Sequence, residues 1–289
     1  MLSKLLLALS LLCAPAFGAL QVETGQFAAG LILTTTTVTL VDSGLTGKAV
    51  IFWQATGTAN TDGTAGTAGW SIGFSDGTNH RCIAWAGNTS VATSNVGRSL
   101  RTASALDILT DGAPTSTLRV TGVSFAAGSF TVTFSGIPLS AYLIGFMVLG
   151  GSDITNVLVG HDTMDTDTGA WAVDNAGASV GFTADFGVFL YTKQTTDGTA
   201  VRANGSIGFA SSATKEFTAA WGVDDDATMS ATVDAVSYTN AAASIAYITD
   251  GAETVDLLAN FTGFTATGFD MNISNAQATA STLMPFLLI

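Results

Sequence analysis

Ser71-Ile72-Gly73-Phe74 returns as Ser206-Ile207-Gly208-Phe209, a shift of 135 residues. Three further echoes keep nearly that distance. Ala84-Trp85 answers to Ala220-Trp221 at 136, Thr110-Asp111-Gly112-Ala113 to Thr249-Asp250-Gly251-Ala252 at 139, and Phe130 to Phe269 at 139. Unrelated short strings do not share one offset by chance, so the 289-residue chain reads as a tandem duplication of a module of about 130 residues. Whatever fold one half adopts, the other must adopt as well, and each half is long enough to bury its own core.

The strings between these echoes have the chemistry of strands. Leu31 to Val41 is rich in Thr, Val and Leu, and Lys48 to Gln54 (KAVIFWQ) is a short continuous apolar run of the buried type. Asp-Gly occurs five times between apolar runs, starting at residues 62, 76, 111, 197 and 250, and marks tight turns. No helical periodicity persists beyond two turns. The fold expected is all-β: two tandem antiparallel β-sandwich modules, jelly-roll-like, of seven or eight short strands each. The modules span 20–150 and 151–289, and Gly150-Gly151-Ser152-Asp153 links them. Gln26 to Thr36 and its counterpart Asp162 to Gly169 read as hairpins, as does Ala126-Ala127-Gly128 between two alternating runs. Leu283 to Ile289 matches the strand around Leu143 to Phe146 and must be buried, because a free apolar end would aggregate.

Charge excludes some functions. The net charge is −13, from 22 acids and 9 bases, and no Lys or Arg follows Lys215. Nucleic-acid binding needs a basic footprint, and anionic membrane surfaces need one too. Only 11% of residues are charged, against about 25% in ordinary soluble domains, so the surface is neutral and hydroxyl-rich. Four of the five arginines, Arg81, Arg98, Arg101 and Arg119, fall in the first module, which makes head-to-tail contact between copies conceivable.

Residues 1–19 have the form of a secretory signal: Lys4, an apolar core from Leu5 to Cys13, then Ala14-Pro15-Ala16-Phe17-Gly18-Ala19 with small residues allowing cleavage after Ala16 or Gly18. The run is too short to span a bilayer, so no membrane span is expected in the mature chain. The other reading of this run is an uncleaved apolar arm packed on a neighbouring subunit.

Candidates for chemistry are few. His80 and His161 do not correspond between modules, and neither lies beside a Cys, Glu or second His at ligand spacing. No Gly-x-Ser-x-Gly elbow is present, and Cys82 has the setting of a small core residue. No catalytic residue, cofactor or bound metal is expected. The best cation candidates are Asp165 and Asp167, alternating carboxylates ahead of Gly169 that could turn oxygens toward Ca²⁺, against the plainer reading of a solvated hairpin. Asp224-Asp225-Asp226 reads as an exposed turn. Of five tryptophans, Trp53, Trp85 and Trp221 sit in apolar strands and are expected in the core. Trp70 and Trp171, flanked by Gly and Ala, are the candidate glycan contacts.

The strings KAVIFW, SIGFSDGTNHRCIAWAG, SNVGRSLRT, ILTDGAPT and YLIGFMVLGGSDITNVLVG resemble a repeated β module of tailed-bacteriophage structural proteins. The resemblance covers most of residues 22 to 191 and fades toward the C-terminus. It implies a virion setting and brings no catalytic residues with it. The function expected is a non-catalytic structural one, a head-surface or tail component acting as a homo-oligomer or with other virion proteins. The alternative is a Sec-exported cell-surface or matrix protein that binds glycans. The location follows suit: the virion, or the cell exterior if the leader is removed.

Overall fold

The structure is a computed structural model and describes residues 19–30, 34–55, 67–88, 95–109, 115–136, 141–223, 235–248, 255–276 and 281–289. Residues 1–18 of the leader-like run, Asp224-Asp225-Asp226 and both Thr-Asp-Gly-Ala echoes lie outside these residues. The described chain is all-β, built of antiparallel sheets packed face to face.

The first half supplies β1 (Leu20–Ala29), β2 (Thr35–Thr39), β3 (Gly47–Ala55), β4 (Thr67–Ser75), β5 (His80–Asn88), β6 (Asn95–Arg101), β7 (Leu106–Leu109), β8 (Ser116–Ala126), β9 (Ser129–Ser135) and β10 (Tyr142–Gly151). The second supplies β11 (Leu158–Thr163), β12 (Gly169–Val173), β13 (Gly187–Tyr191), β14 (Gly198–Val201), β15 (Ala203–Ser212), β16 (Lys215–Val223), β17 (Ala235–Asn240), β18 (Ile245–Ile248), β19 (Val255–Phe264), β20 (Phe269–Asn275) and β21 (Leu283–Leu288).

In the first half a large sheet, β1-β10-β3-β4-β5-β6, faces a small one, β2-β9-β8-β7. In the second the orders are β11-β21-β13-β15-β16-β17 and β12-β20-β19-β18, the same sequence of positions strand for strand. β14 is the exception: it leaves its own half and pairs with β6, extending the first large sheet to seven strands. Among the described residues each sandwich is six strands on four, more than the seven or eight short strands expected.

The alternation of side chains explains the layers. Along β3, Val50 and Phe52 point between the two sheets of the first half, joining Leu118, Val120, Phe130, Phe146 and Val148. The equivalent core of the second half gathers Phe189, Tyr191, Phe261, Phe269, Met271 and Phe286. β21, the closing strand, is buried between β11 and β13. β8 and β9 form the expected hairpin through Ala126 to Ser129. The two other predicted hairpins do not exist. β1 pairs with β10 and β2 with β9, so the chain near Gly30 crosses from one sheet to the other, and β11 to β12 does likewise. At each crossing the second strand, β2 or β12, turns its large apolar side chains (Val38; Trp171 and Val173) to the inner core alone, whereas β11 has Leu158 on the inner core and Val159 on the opposite face. No helix among the described residues is long and apolar enough to cross a membrane.

Candidate functional site

A third apolar cluster lies between the halves. Ile72, Phe74, Ile83 and Leu100 from the outer face of the first large sheet meet Val159, Val188, Leu190 and Leu287 from the outer face of the second. Ile207, Phe209 and Trp221 pack on its margin. Across this junction the large sheets are covered on both faces, and the sheets stack in four layers.

This junction explains the repeated Ser-Ile-Gly-Phe. In β4, Ile72 and Phe74 point toward the other sandwich, while Ser71 and Gly73 point inward. Ser71 Oγ accepts the Asp107 amide N–H at 3.2 Å and donates to the Ile83 carbonyl at 3.2 Å. Gly73 lets the backbone of Ala105 approach: a Cβ there would lie 2.5 Å from the Ala105 oxygen. Gly208 does the same against Ser244, where the distance would be 1.6 Å.

Around the apolar patch, the first half's arginines reach into the second. Arg81 Nε donates to His161 Nδ1 at 3.2 Å. Arg98 donates to Asn204 Oδ1 at 3.4 Å and to the Lys193 carbonyl at 3.2 Å, while Gln194 Nε2 donates to the Arg98 carbonyl. Arg101 is the hub, donating to Asp107 Oδ2 at 2.7 Å, to Asp197 Oδ1 at 3.2 Å and to Ser116 Oγ at 2.7 Å. Asp197 Oδ2 in turn accepts the Thr102 amide at 2.7 Å and its hydroxyl at 3.0 Å. That clamp starts β14, whose Gly198 to Val201 then pair with Leu100 to Gly97. Asp76 Oδ2 adds a contact by accepting the Val159 amide at 2.9 Å. The arginine asymmetry seen in the sequence is therefore spent inside one chain.

The electrostatics make the junction sensitive to acid. Burial, and then the Arg81 charge, lower the pKa of His161 from 6.5. Its Nδ1 must be unprotonated to accept from Arg81. Burial would raise the Asp197 carboxyl, but hydrogen bonds from the Thr102 amide, the Arg101 side chain and the Thr102 hydroxyl outweigh it and hold the pKa below 3.8. Both groups release protons more readily in the folded chain than in the unfolded one. The stability they contribute is present at neutral pH and drains away as the pH falls, first below 6.5 through the histidine and then below 3.8 through the carboxylate. His80, its pKa also lowered chiefly by burial, adds in the same direction. Urea midpoints should fall between about pH 7 and about pH 5, and His80→Gln/His161→Gln should flatten that drop; an unchanged drop in the double variant would remove the histidines from the account.

The other candidates are scattered. Trp171 is only 7% exposed and lies in the second core, so it offers no face for stacking on a sugar. Its small neighbours Ala170 and Ala172 occupy the solvent side of β12, while Trp171 and Val173 share the buried side. Trp70 is half-buried, edge-on to Trp221 with ring centroids 5.0 Å apart, and stands opposite Trp85 across β4 and β5. Trp53, expected in the core, is 36% exposed. Asp165 and Asp167 are exposed on the β11–β12 crossing, where Asp165 Oδ1 accepts the Asp167 amide at 3.2 Å as in a turn. Among the described residues no three metal-ligating side chains come together. Cys82 is buried, and burial drives its thiol pKa well up, away from the reactive thiolate.

The residues that join the halves, Asp76, Arg81, Arg98, Arg101 and Asp197, were not singled out as a site by sequence reasoning. For Asp197 a signal exists. Thr196-Asp197-Gly198-Thr199-Ala200 repeats Thr61-Asp62-Gly63-Thr64-Ala65 at a shift of 135, the same as Ser-Ile-Gly-Phe. No known protein family's model matches the chain, and no curated protein matches it.

Proposed function

We propose that this chain is a non-catalytic structural protein, a head-surface or tail component of a phage virion, that evolved by duplication of one sandwich and works by assembly. The observation that carries this reading is the use made of its polar side chains. Arg81, Arg98, Arg101, Asp76 and Asp197 all hold one sandwich to the other. Strand addition through β14 adds a backbone contact of the kind by which subunits are joined. The phage-module resemblance of residues 22 to 191 supports the virion setting.

A second reading, a Sec-exported surface or matrix protein, is favoured by Lys4 and the apolar run that follows it. Intact mass after expression in a Gram-negative host separates the two. The virion reading expects the full chain, Met1 included, within assembled particles. Recovery from the periplasm lacking residues 1–16 or 1–18 would overturn it in favour of export.

A further inference from the structure

Each sandwich has a core of its own, and the junction between them is a separate apolar cluster with a polar rim and an added strand. Subunits are joined by the same means, so nothing in such a contact requires its two sides to belong to one molecule. The chain passes from one sandwich to the other between Gly151, the end of β10, and Leu158, the start of β11. The intervening Ser152 to Val157 pair with no strand, and fully extended they reach about 20 Å. Ser152, Asp153, Thr155 and Asn156 are exposed, while Ile154 is buried in the junction.

The bend is held closed by a few contacts. Ser152 Oγ accepts the Ala19 amide at 3.2 Å, Asp153 Oδ2 accepts the Leu20 amide at 3.1 Å, and Lys48 Nζ donates to the Ile154 carbonyl. Gly151 begins it at a φ of +95°, where a Cβ would stand 1.9 Å from the Ala19 oxygen. Apolar side chains are exposed around it. Leu20, 58% exposed, stands opposite Gly151 in the β1–β10 pairing, and Val22, 48% exposed, stands opposite Leu149. Val41, 95% exposed, is held near them by its amide, which donates to Glu23 Oε1 at 2.7 Å. Three of the six large apolar side chains exposed among the described residues therefore flank one bend, whereas a single one would call for no explanation.

We propose that Ser152 to Val157 is a hinge through which two copies of this chain exchange sandwiches, the first sandwich of each docking with the second sandwich of the other. Every contact of the junction is kept. Arg81 to His161, Arg98 to Asn204, Arg101 to Asp197 and β14 on β6 then run between chains. Only the hinge changes course, and the two hinges lie side by side with Leu20, Val22 and Val41 covered between the copies. The occupant is a second copy because the receiving surface matches the second sandwich in apolar contact, charge and strand register. Exchange rests on the assembly reading above and gives it a partner and a surface.

The full chain, refolded from urea at low micromolar and at submillimolar concentration and followed by sedimentation velocity, provides the first part of the test. A two-chain species is expected at the higher concentration. Leu20→Asp/Val22→Asp should raise its dissociation constant about tenfold or more, with the melt of the monomer unmoved. Gly151→Val crowds the closed bend and should increase the two-chain fraction. The second part identifies the contact through Ser99 and Thr199, which face one another across β6 and β14. In a Cys13→Ser/Cys82→Ala background, a chain carrying both Ser99→Cys and Thr199→Cys, refolded dilute and oxidised, should close a disulfide without gain in mass, which shows the pair to be reactive. Chains carrying one substitution each, refolded together at submillimolar concentration, should give a product of two chain masses linked through the two introduced cysteines. A two-chain species that never carries that link overturns exchange and leaves the assembly reading standing. A chain that stays monomeric at every concentration overturns exchange and the homo-oligomer reading with it.

Discussion

Gly208→Ala is expected to lower the melting temperature by about 10 °C, the equivalent of about 3 kcal/mol of overpacking in a well-packed interior. The new Cβ would stand 1.6 Å from the Ser244 carbonyl oxygen and 2.6 Å from its carbon. Ser244 cannot step aside cheaply. Its amide donates to the Ala259 carbonyl at 2.9 Å, and its hydroxyl donates to Glu216 Oε2 at 2.9 Å. The same carboxylate oxygen accepts the Phe261 amide at 2.7 Å, tying the segment to β19. The control is Gly263→Ala, where a Cβ meets nothing within 4 Å and the melting temperature should move by no more than about 2 °C. Melts followed by circular dichroism check the pair. Equal melts for the two variants would show that the close approach of Ser244 to β15 contributes little.

Much of this architecture is legible in the sequence, and the limits have physical causes. Alternation in β3, β8 and β9 and the Asp-Gly turns specify strands, and the offset near 135 ties the two halves together. Alternation also says that Ile72 and Phe74 share a face that Ser71 and Gly73 do not. It does not say that both faces are buried, because that depends on a sheet more than 100 residues away. Trp53 follows from the same rule. It must oppose Phe52, and whether its face is covered depends on how far the second sandwich extends. Judging Trp171 by the size of its neighbours gave exposure, whereas its two-residue spacing from Val173 placed it in the core. The hairpin readings failed because local apolar strings cannot say which of two sheets a strand joins. The arginine hub was illegible from spacing for a related reason: Arg101 and Asp197 are 96 residues apart and meet only after both sandwiches have formed.

Removing the hub should produce the largest polar effect in the molecule. Arg101→Met is expected to cost about 3–5 kcal/mol, because it leaves the Asp107 carboxylate buried without its countercharge. The Asp107 side chain is fully buried, and among the described residues its Oδ1 has no hydrogen-bond partner, so Arg101 and Ser116 on Oδ2 carry all of its compensation. The same substitution frees Asp197 from its guanidinium partner at the start of β14. Two consequences can be separated by a second change. Arg101→Met/Asp107→Leu removes the buried charge together with its partner, and replacement of a buried pair by apolar groups is often neutral. Most of the loss should return in the double variant, with a residue remaining for the loosened Asp197 clamp. The Ser71–Asp107 backbone contact survives in either case, since it uses the amide and not the carboxylate. Urea midpoints of wild type, single and double variants decide the matter. If the double variant is as unstable as the single, the cost lies in unfastening β14 from β6, and strand addition rather than the buried charge holds the sandwiches together.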